Sequence, residues 1–260
     1  MSGWLDHDGE RIYHESVGEG PAVVLTHGLG GNHAVWWRQV RALARERRVV
    51  TWDQRGFGNS SRRTGAVGPE PAVGDLAALL DHLAIDRADI VGQSMGGWVA
   101  MGFAIRHPER VRSLVLADSP GGVLTEDVRH AAREARARVR TDGGLGRHPA
   151  LGDRFCVEHP DEAILYELIG SFGDKPADGE MIELLSACRW PLDDVARVAV
   201  PVLLVCGEHD PMAPPAGVRA VAAVLRDARV EVIPGCGHSP YYEAPDAWNA
   251  AVIRFLDGLA

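Results

Sequence analysis

The chain carries the sequence GQSMGG at residues 92–97, between an apolar run at residues 88–91 and a helix-like run at residues 98–104. Ser94 therefore lies on a sharp strand-to-helix turn, which predicts a strained serine backbone. Such a turn leaves room only for small residues two positions before and after the serine, and Gly92 and Gly96 stand there. The N–H of Met95 would lie at a helix N-terminus, where a developing oxyanion is stabilised. The stretch predicts an activated serine at the end of a strand.

Short apolar runs alternate with helix-like runs along most of the chain. A hairpin over residues 4–17, with a turn at Asp8-Gly9, comes first. The predicted strands that follow are 22–26, 48–52, 88–91, 111–116, 201–206 and 229–233. Nearly unbroken apolar strands separated by helices indicate an α/β fold, with a mostly parallel sheet and helices on both faces. In such a sheet, ligands bind at the carboxyl ends of the strands.

The segment 121–190 breaks this alternation, because it is helix-prone and lacks a convincing strand. Its predicted helices are 126–140, 161–172 and 179–189. We therefore expect a core domain formed by residues 1–120 and 191–260, with a helical cap at 121–190 inserted after the sixth strand. An insertion at this edge would lie above the strand ends and could serve as a lid.

Charge and composition exclude several classes of partner. The 260 residues carry 27 Lys and Arg against 36 Asp and Glu, a formal net charge of −9. Nucleic acids and anionic membranes require concentrated positive charge, so neither is expected as a partner. The Arg-rich stretch at 129–140 interleaves Arg with Ala and Glu, as a solvated helix face does. No secretory leader or bilayer-spanning run is evident, so we expect a soluble cytoplasmic protein with a small-molecule substrate.

The four cysteines, Cys156, Cys188, Cys206 and Cys236, are scattered and form no CxxC pair. This spacing indicates neither a metal site nor a disulfide framework. We expect reduced thiols and no bound metal.

A serine hydroxyl needs a base to accept its proton, and that base needs an orienting acid. For a serine on this kind of turn, the chain order is serine, acid, histidine. His238 fits the base, because it lies in the turn-rich segment 234–240 just after the last predicted strand. Asp210, after the 201–206 strand, is the favoured acid. Asp118, after the preceding strand, and Glu208 remain alternatives.

A second oxyanion donor is expected from the glycine-rich loop His27-Gly28-Leu29-Gly30-Gly31, and the Leu29 N–H is our candidate. His27 precedes Ser94, which is the wrong order for the base, so we interpret it as a residue that braces the loop. Apolar side chains near the chemistry would line a pocket. Candidate substrate contacts are Trp36, Trp98, Trp190 and Tyr241. Arg189 could pair with a substrate carboxylate, but an exposed helix-end arginine is the favoured interpretation.

Taken together, these segments resemble the α/β-hydrolase family over nearly the whole chain. The matching motifs are His27–Gly30, Asp53–Ser60, Gly92–Gly97, His107–Val111, Gly207–Asp210 and Gly237-His238. The resemblance is greatest to small lidded serine esterases and lactonases such as 3-oxoadipate enol-lactonases. It implies an α/β-hydrolase fold and a Ser94-His238-Asp210 triad that needs no cofactor. In relatives the Asp53–Ser60 segment is a structural loop, with Arg55 bracing neighbouring turns.

The resemblance implies cleavage of a small carboxylic ester or lactone through an acyl-enzyme. Three alternatives stay open: a carbon-carbon bond hydrolase of the meta-cleavage type, a perhydrolase or acyltransferase, and a small-molecule receptor without turnover. Haloalkane dehalogenases and epoxide hydrolases carry an aspartate nucleophile, which Ser94 argues against. Carbon-carbon hydrolases usually carry Gly-Pro-Gly in the first loop and an aromatic residue after the histidine. Here residues 30–32 are Gly-Gly-Asn and residue 239 is Ser239.

Overall fold

A computed structural model describes residues 1–136, 144–173 and 175–259. Its centre is an eight-stranded sheet with the strand order β1-β2-β4-β3-β5-β6-β7-β8. The strands are β1 (Ser2–His7), β2 (Glu10–Val17), β3 (Ala22–Thr26), β4 (Arg48–Trp52), β5 (Ala88–Gln93), β6 (Val111–Ala117), β7 (Val202–Gly207) and β8 (Ala228–Ile233). The β1–β2 and β2–β4 pairs are antiparallel, and every later pair is parallel.

Helices connect the parallel strands. They are α1 (Trp37–Leu43), α2 (Pro69–His82), α3 (Met95–Arg106), α4 (Glu126–Arg136), α5 (Asp153–Glu158), α6 (Pro160–Gly170), α7 (Asp178–Ala187), α8 (Leu192–Val195), α9 (Pro215–Ala222), α10 (Pro240–Glu243) and α11 (Pro245–Asp257). Two short 3-10 helices, His33–Trp36 and Pro108–Arg110, complete the described elements.

The alternation of side chains along β3 shows why both faces of the sheet are covered. Val23 and Leu25 pack into one apolar cluster, with side chains of α1 and α11. Val24 packs into a second cluster on the opposite face, with side chains of α2, α3 and α9. Successive residues of a strand point to opposite faces, so a strand buried on both sides must be apolar throughout. Each fully buried Val or Leu stabilises the fold by about 1.5–3 kcal/mol.

The strand order places the functional edge of the sheet. The chain runs from β3 to β4 on one side and then crosses back over β3 to β5 on the other side. The loops that follow β3 and β5 therefore diverge at their carboxyl ends, which leaves a crevice at this switch point. Gly28 lies in the first of these loops, and Ser94 lies in the second.

The strand predictions agree with the structure, and the fold is the expected α/β fold. Between β6 and β7, all regular elements of the described residues are helices, α4 to α8. The predicted 126–140 helix is observed as Glu126–Arg136, and residues 137–140 lie outside the described part of the chain. The short helices α5, α8 and α10 were not predicted, because four to six residues are too few to show a helical period.

In the described part of the chain, every helix is too short or too polar to span a bilayer.

Candidate active site

Ser94 occupies the single-residue turn between β5 and α3. Its backbone has φ 48° and ψ −116°, a left-handed conformation that non-glycine residues rarely adopt. Two hydrogen bonds hold it there, because the Ser94 N–H donates to the Ala117 carbonyl (2.8 Å) and the Ser119 hydroxyl donates to the Ser94 carbonyl (2.6 Å). Strain of this kind persists only where the surroundings enforce it, and it is typical of functional sites.

The glycines around Ser94 are required by close backbone contacts. A Cβ on Gly92 would lie 2.3 Å from the Gly96 carbonyl oxygen, and a Cβ on Gly96 would lie 2.3 Å from that of Thr26. A Cβ on Gly97 would lie 2.1 Å from the Ser119 hydroxyl. The N-terminus of α3 therefore packs directly on the end of β3, and this packing fixes the position of Ser94.

A continuous chain of hydrogen bonds joins Asp210, His238 and Ser94. The His238 Nδ1 lies 2.8 Å from Asp210 Oδ2, and its Nε2 lies 2.9 Å from Ser94 Oγ. His238 is 5% exposed and Asp210 is 2% exposed. With the proton on Nδ1, Nε2 presents its lone pair to the hydroxyl, which is the arrangement of a general base beside a nucleophile.

The structure separates the acid candidates. Asp210 is the carboxylate bonded to His238, and its other oxygen accepts the N–H groups of Met212 (2.7 Å) and Ala213 (2.9 Å). Glu208 accepts the Gly235 N–H at 2.9 Å and so stabilises the turn before His238. Asp118 lies behind Asp210 and accepts the Gly207 N–H at 2.9 Å.

The loop that carries His238 is held in place by Glu243, which the sequence did not single out. Glu243 accepts the N–H groups of Gly237 (3.0 Å), Ser239 (3.2 Å) and Gly152 (3.0 Å). Burial raises the pKa of Glu243, although these hydrogen bonds oppose the shift. The only signal for Glu243 in the sequence was a carboxylate five positions after the histidine, just beyond the turn-rich segment 234–240.

The loop after β3 approaches the serine closely. A Cβ on Gly28 would lie 3.1 Å from Ser94 Cβ and 2.0 Å from the Gln93 side-chain oxygen. His27 is wholly buried and bonds through Nδ1 to the Gly28 carbonyl and through Nε2 to the Gln54 N–H. Burial lowers the pKa of His27, so the ring is neutral and braces this loop.

Arg55 lies away from the chemistry. Its guanidinium makes two hydrogen bonds of 2.6 Å to the Asp75 carboxylate, and both side chains are almost completely buried. The pair ties the loop after β4 to α2.

Helices and loops between β6 and β7 contact three parts of the site. Asn32, in the loop after β3, donates to the Ile169 carbonyl of α6 (2.7 Å), and the His238 N–H donates to the Ala150 carbonyl (3.0 Å). Met181 of α7 is fully buried in an apolar cluster with Met95 and Leu29. This segment therefore covers the two loops and the helix N-terminus that surround Ser94.

The predicted substrate contacts are placed differently from one another. Trp36 is 0% exposed and packs on Tyr241, with ring centroids 4.8 Å apart, in the core under α1. Trp190 packs on α3, where its Nε1 donates to the Trp98 carbonyl at 3.1 Å. These contacts account for Trp36, Tyr241 and Trp190 as core side chains, because large aromatic rings supply much of the apolar area that a core buries.

Trp98 instead lines a cavity of about 460 Å³ between α3, α4, α7 and α9. The other walls are mainly apolar and include Leu124, Val128, Ile182, Leu185 and Val218. Pro120 and Met212 also line it, each two residues beyond a carboxylate of the site, whereas Ser94 and His238 do not. Arg189 lines the cavity together with Arg129 and Arg133, and its Nε donates to the Ser186 carbonyl at 3.4 Å.

A family model and two relatives match most of this chain. A sequence model described as "Alpha/beta hydrolase family" matches residues 23–251. RutD of Caulobacter sp. (strain K31), named provisionally as a carbamate hydrolase, is 30% identical over 266 residues, which cover 96% of this chain and 97% of the relative. The 3-oxoadipate enol-lactonase 1 of Acinetobacter baylyi is 32% identical over 199 residues, covering 74% of this chain and 72% of the relative.

A solved structure is similar over the full length. The thermophilic esterase from Thermogutta terrifontis superposes with a TM-score of 0.85 at 26% identity, covering 100% of this chain and 99% of the esterase. The family model matches most of the chain, over residues 23–251, and the sheet order and the strained serine between β5 and α3 agree with it. The chain therefore belongs to the alpha/beta hydrolase family.

Proposed function

We propose that this protein is a serine hydrolase that cleaves a small carboxylic ester or lactone. The observation that carries the proposal is the hydrogen-bonded series Asp210–His238–Ser94, with contacts of 2.8 Å and 2.9 Å, which ends on a strained serine. A neutral imidazole within hydrogen-bonding distance of a hydroxyl is what acyl transfer to serine requires.

In the proposed mechanism, Ser94 Oγ attacks the carbonyl carbon as His238 Nε2 takes its proton. His238 then gives that proton to the alkoxide oxygen as its bond to the carbonyl carbon breaks. The acyl group stays on Ser94. Water attacks this acyl-enzyme with His238 again acting as base, and the acid product is released as Ser94 is reprotonated. The Asp210 carboxylate holds the ring in the correct tautomer and stabilises the imidazolium that forms at each step.

The tetrahedral oxyanion would be stabilised by two backbone N–H groups, from Met95 and Leu29. The Met95 N–H lies at the first position of α3, where the helix dipole favours negative charge. The Leu29 N–H belongs to the loop in which Gly28 approaches Ser94. Two such donors are typical of acyl transfer, and each contributes about 10²–10³ to kcat.

The covering segment and the cavity support an apolar substrate. We propose that residues 121–190 act as a lid, since the described residues of this segment contact three parts of the site. The 460 Å³ cavity would accept an apolar acyl or alcohol group. The named activities of an esterase and of an enol-lactonase among the similar proteins support the ester or lactone class.

The deciding experiment compares the wild-type protein with Ser94→Ala on a panel of p-nitrophenyl esters, lactones, carbamates and vinylogous diketones. We expect multiple turnovers on short esters or lactones, and stoichiometric labelling of Ser94 by a fluorophosphonate, both absent from the variant. Turnover of the diketones alone would assign carbon-carbon bond hydrolysis. Partition of the acyl group to added peroxide or alcohol would favour the perhydrolase or acyltransferase. Tight binding with no turnover would favour the receptor.

A second experiment tests the cavity. Trp98→Ala is expected to raise KM for octanoyl esters by about tenfold and to leave acetyl esters nearly unaffected, because only the longer chain would reach the cavity. Trp4→Ala is the matched control, since Trp4 lies half-exposed on the edge strand β1. An equal change in KM for both ester lengths would contradict the assignment.

A further inference from the structure

Asp118 is a buried carboxyl group that the proposed mechanism leaves without a role. It follows β6 directly, has φ 50° and is 0% exposed. Its Oδ1 accepts the Gly207 N–H at 2.9 Å, whereas Oδ2 accepts a hydrogen bond from no described residue. A charged carboxylate oxygen buried without a hydrogen-bond donor is strongly destabilising. Asp118 must therefore either be protonated or have a hydrogen-bond partner for this oxygen.

The group that can pair with this Asp118 oxygen is the carboxylate of Asp210. One carboxylate oxygen of Asp118, one of Asp210 and a ring nitrogen of His238 all lie within 4.8 Å of one another. Two carboxyl groups this close in a buried site do not both ionise. Asp210 receives three donors, from Met212, Ala213 and His238, whereas Asp118 receives one. The charge therefore belongs on Asp210 and the proton on Asp118.

The surroundings of Asp118 favour the same assignment. Burial, followed by the charge of Asp210, raises the pKa of Asp118 well above its usual range. Burial also raises the pKa values of the thiols and phenols nearby, so these groups are neutral. The titratable groups that face Asp118 from β7 and the loop after it, α6, α10 and the loop that carries His238 are Asp210, Glu243, His238, Cys206, Cys236, Tyr166 and Tyr241. No lysine or arginine is among these groups.

We propose that Asp118 is a positioning residue that keeps its proton and donates an O–H···O hydrogen bond from Oδ2 to the Asp210 carboxylate. This interaction gives the orphaned oxygen a partner and fixes Asp210 in line with His238 Nδ1. The pair then carries one negative charge, which suits it to stabilise one imidazolium. The inference rests on the proposed serine hydrolase function, because it assigns Asp118 a role through Asp210.

The protonation state can be measured without any turnover. An infrared difference spectrum of wild-type protein minus Asp118→Asn, at pH 7, should contain the C=O stretch of a protonated carboxylic acid. A difference band from a carboxylate instead would overturn the proposal, whatever the substrate proves to be. A stoichiometric divalent ion in the purified protein that is lost in Asp118→Asn would also overturn it, because a metal would then hold the two carboxylates.

Kinetics test the positioning role. Asp118→Ala removes the donor, and kcat should fall by about 10- to 100-fold with little change in KM, as expected for a hydrogen bond to a charged group. Asp118→Asn keeps a neutral donor, and asparagine tolerates a positive φ, so it should restore most of the lost kcat. Wild-type kcat in Asp118→Ala, or no rescue by a folded Asp118→Asn, would contradict the proposal.

The pH profile separates a neutral Asp118 from an ionised one. If Asp118 is neutral, exchange for asparagine removes no charge, and the acid limb of kcat/KM stays within about 0.3 pH units of the wild type. If Asp118 is ionised, the exchange removes a negative charge beside His238 and moves that limb to lower pH. The second result would refute the inference and leave the proposed hydrolase function intact.

Discussion

Replacing Gly96 with alanine tests whether backbone packing sets the position of Ser94. Gly96 is the second residue of α3, and its added Cβ would lie 2.3 Å from the Thr26 carbonyl oxygen and 2.7 Å from that of His27. Both oxygens belong to the backbone, so neither can rotate away. An ordinary contact begins at 3.4 Å, and the end of β3 and the start of α3 must therefore separate by about 1.1 Å.

That displacement has a calculable cost. A misplacement of about 1 Å in a reacting group can lower the rate by about 10²-fold. We expect kcat/KM for a short p-nitrophenyl ester to fall about 100-fold, equivalent to about 2.7 kcal/mol of transition-state stabilisation. Overpacking should also lower the free energy of unfolding by about 1–3 kcal/mol.

The assay combines ester hydrolysis, the rate of fluorophosphonate labelling of Ser94 and urea unfolding. Gly179→Ala is the matched control, because Gly179 lies in α7 and its Cβ would meet no atom within 4 Å. The control should keep the wild-type kcat/KM and gain up to about 1 kcal/mol of stability. Wild-type kcat/KM and labelling rate in Gly96→Ala would refute the idea that this contact positions the serine.

Further predictions concern buried charges. Asp75→Ala leaves the Arg55 guanidinium buried without its partner and should lower the free energy of unfolding by about 3–5 kcal/mol. The double exchange Arg55→Met with Asp75→Leu removes both charges and should lower it far less. Equal losses for the two variants in urea unfolding would contradict this prediction. Glu243→Ala removes the acceptor of three N–H groups, so it should lower the free energy of unfolding by about 2–4 kcal/mol and slow fluorophosphonate labelling of Ser94. An unchanged labelling rate would show that the loop that carries His238 keeps its conformation without Glu243. Burial raises the pKa of Glu10, but hydrogen bonds from Ser61, Arg63 and Thr64 outweigh it and lower the pKa from 4.5 to about 2. Its folded-state pKa is depressed, so this stabilisation is complete above pH 4.5 and is lost as pH falls towards 2; Glu10→Gln should therefore show a flatter stability curve from pH 5 to pH 2.

The strands and the turn at Ser94 could be read from the sequence because the signals for them are local. A buried parallel strand is apolar on both faces, and β3 shows this in five consecutive buried residues, of which the first four are apolar. The glycines on either side of Ser94 likewise reflect contacts within one turn and its neighbouring strand. The family resemblance rests on the same local motifs, and the match over residues 23–251 agrees with it.

The aromatic residues show where local reasoning stops. Trp36 lies seven residues after Leu29 and Trp98 three residues after Met95, yet Trp36 is buried beneath α1 and Trp98 lines the cavity. The direction of a side chain relative to a distant element depends on helix packing, which one segment does not encode. Ala150 and Gly152, in the turn before α5, meet the loop that carries His238, and no local pattern connects segments about 90 residues apart in the chain.

By itself, the sequence determined the alternation of strands and helices, the strained serine and the loop that carries His238. Only the tertiary structure decided which carboxylate bonds to His238, since Asp118 and Asp210 both follow parallel strands and both reach the same edge of the sheet. Strand register and the order β6-β7-β8 place Asp210 beside the imidazole and Asp118 behind it. A hydrogen bond is a matter of ångströms between residues far apart in the chain, and packing of the whole sheet sets that distance.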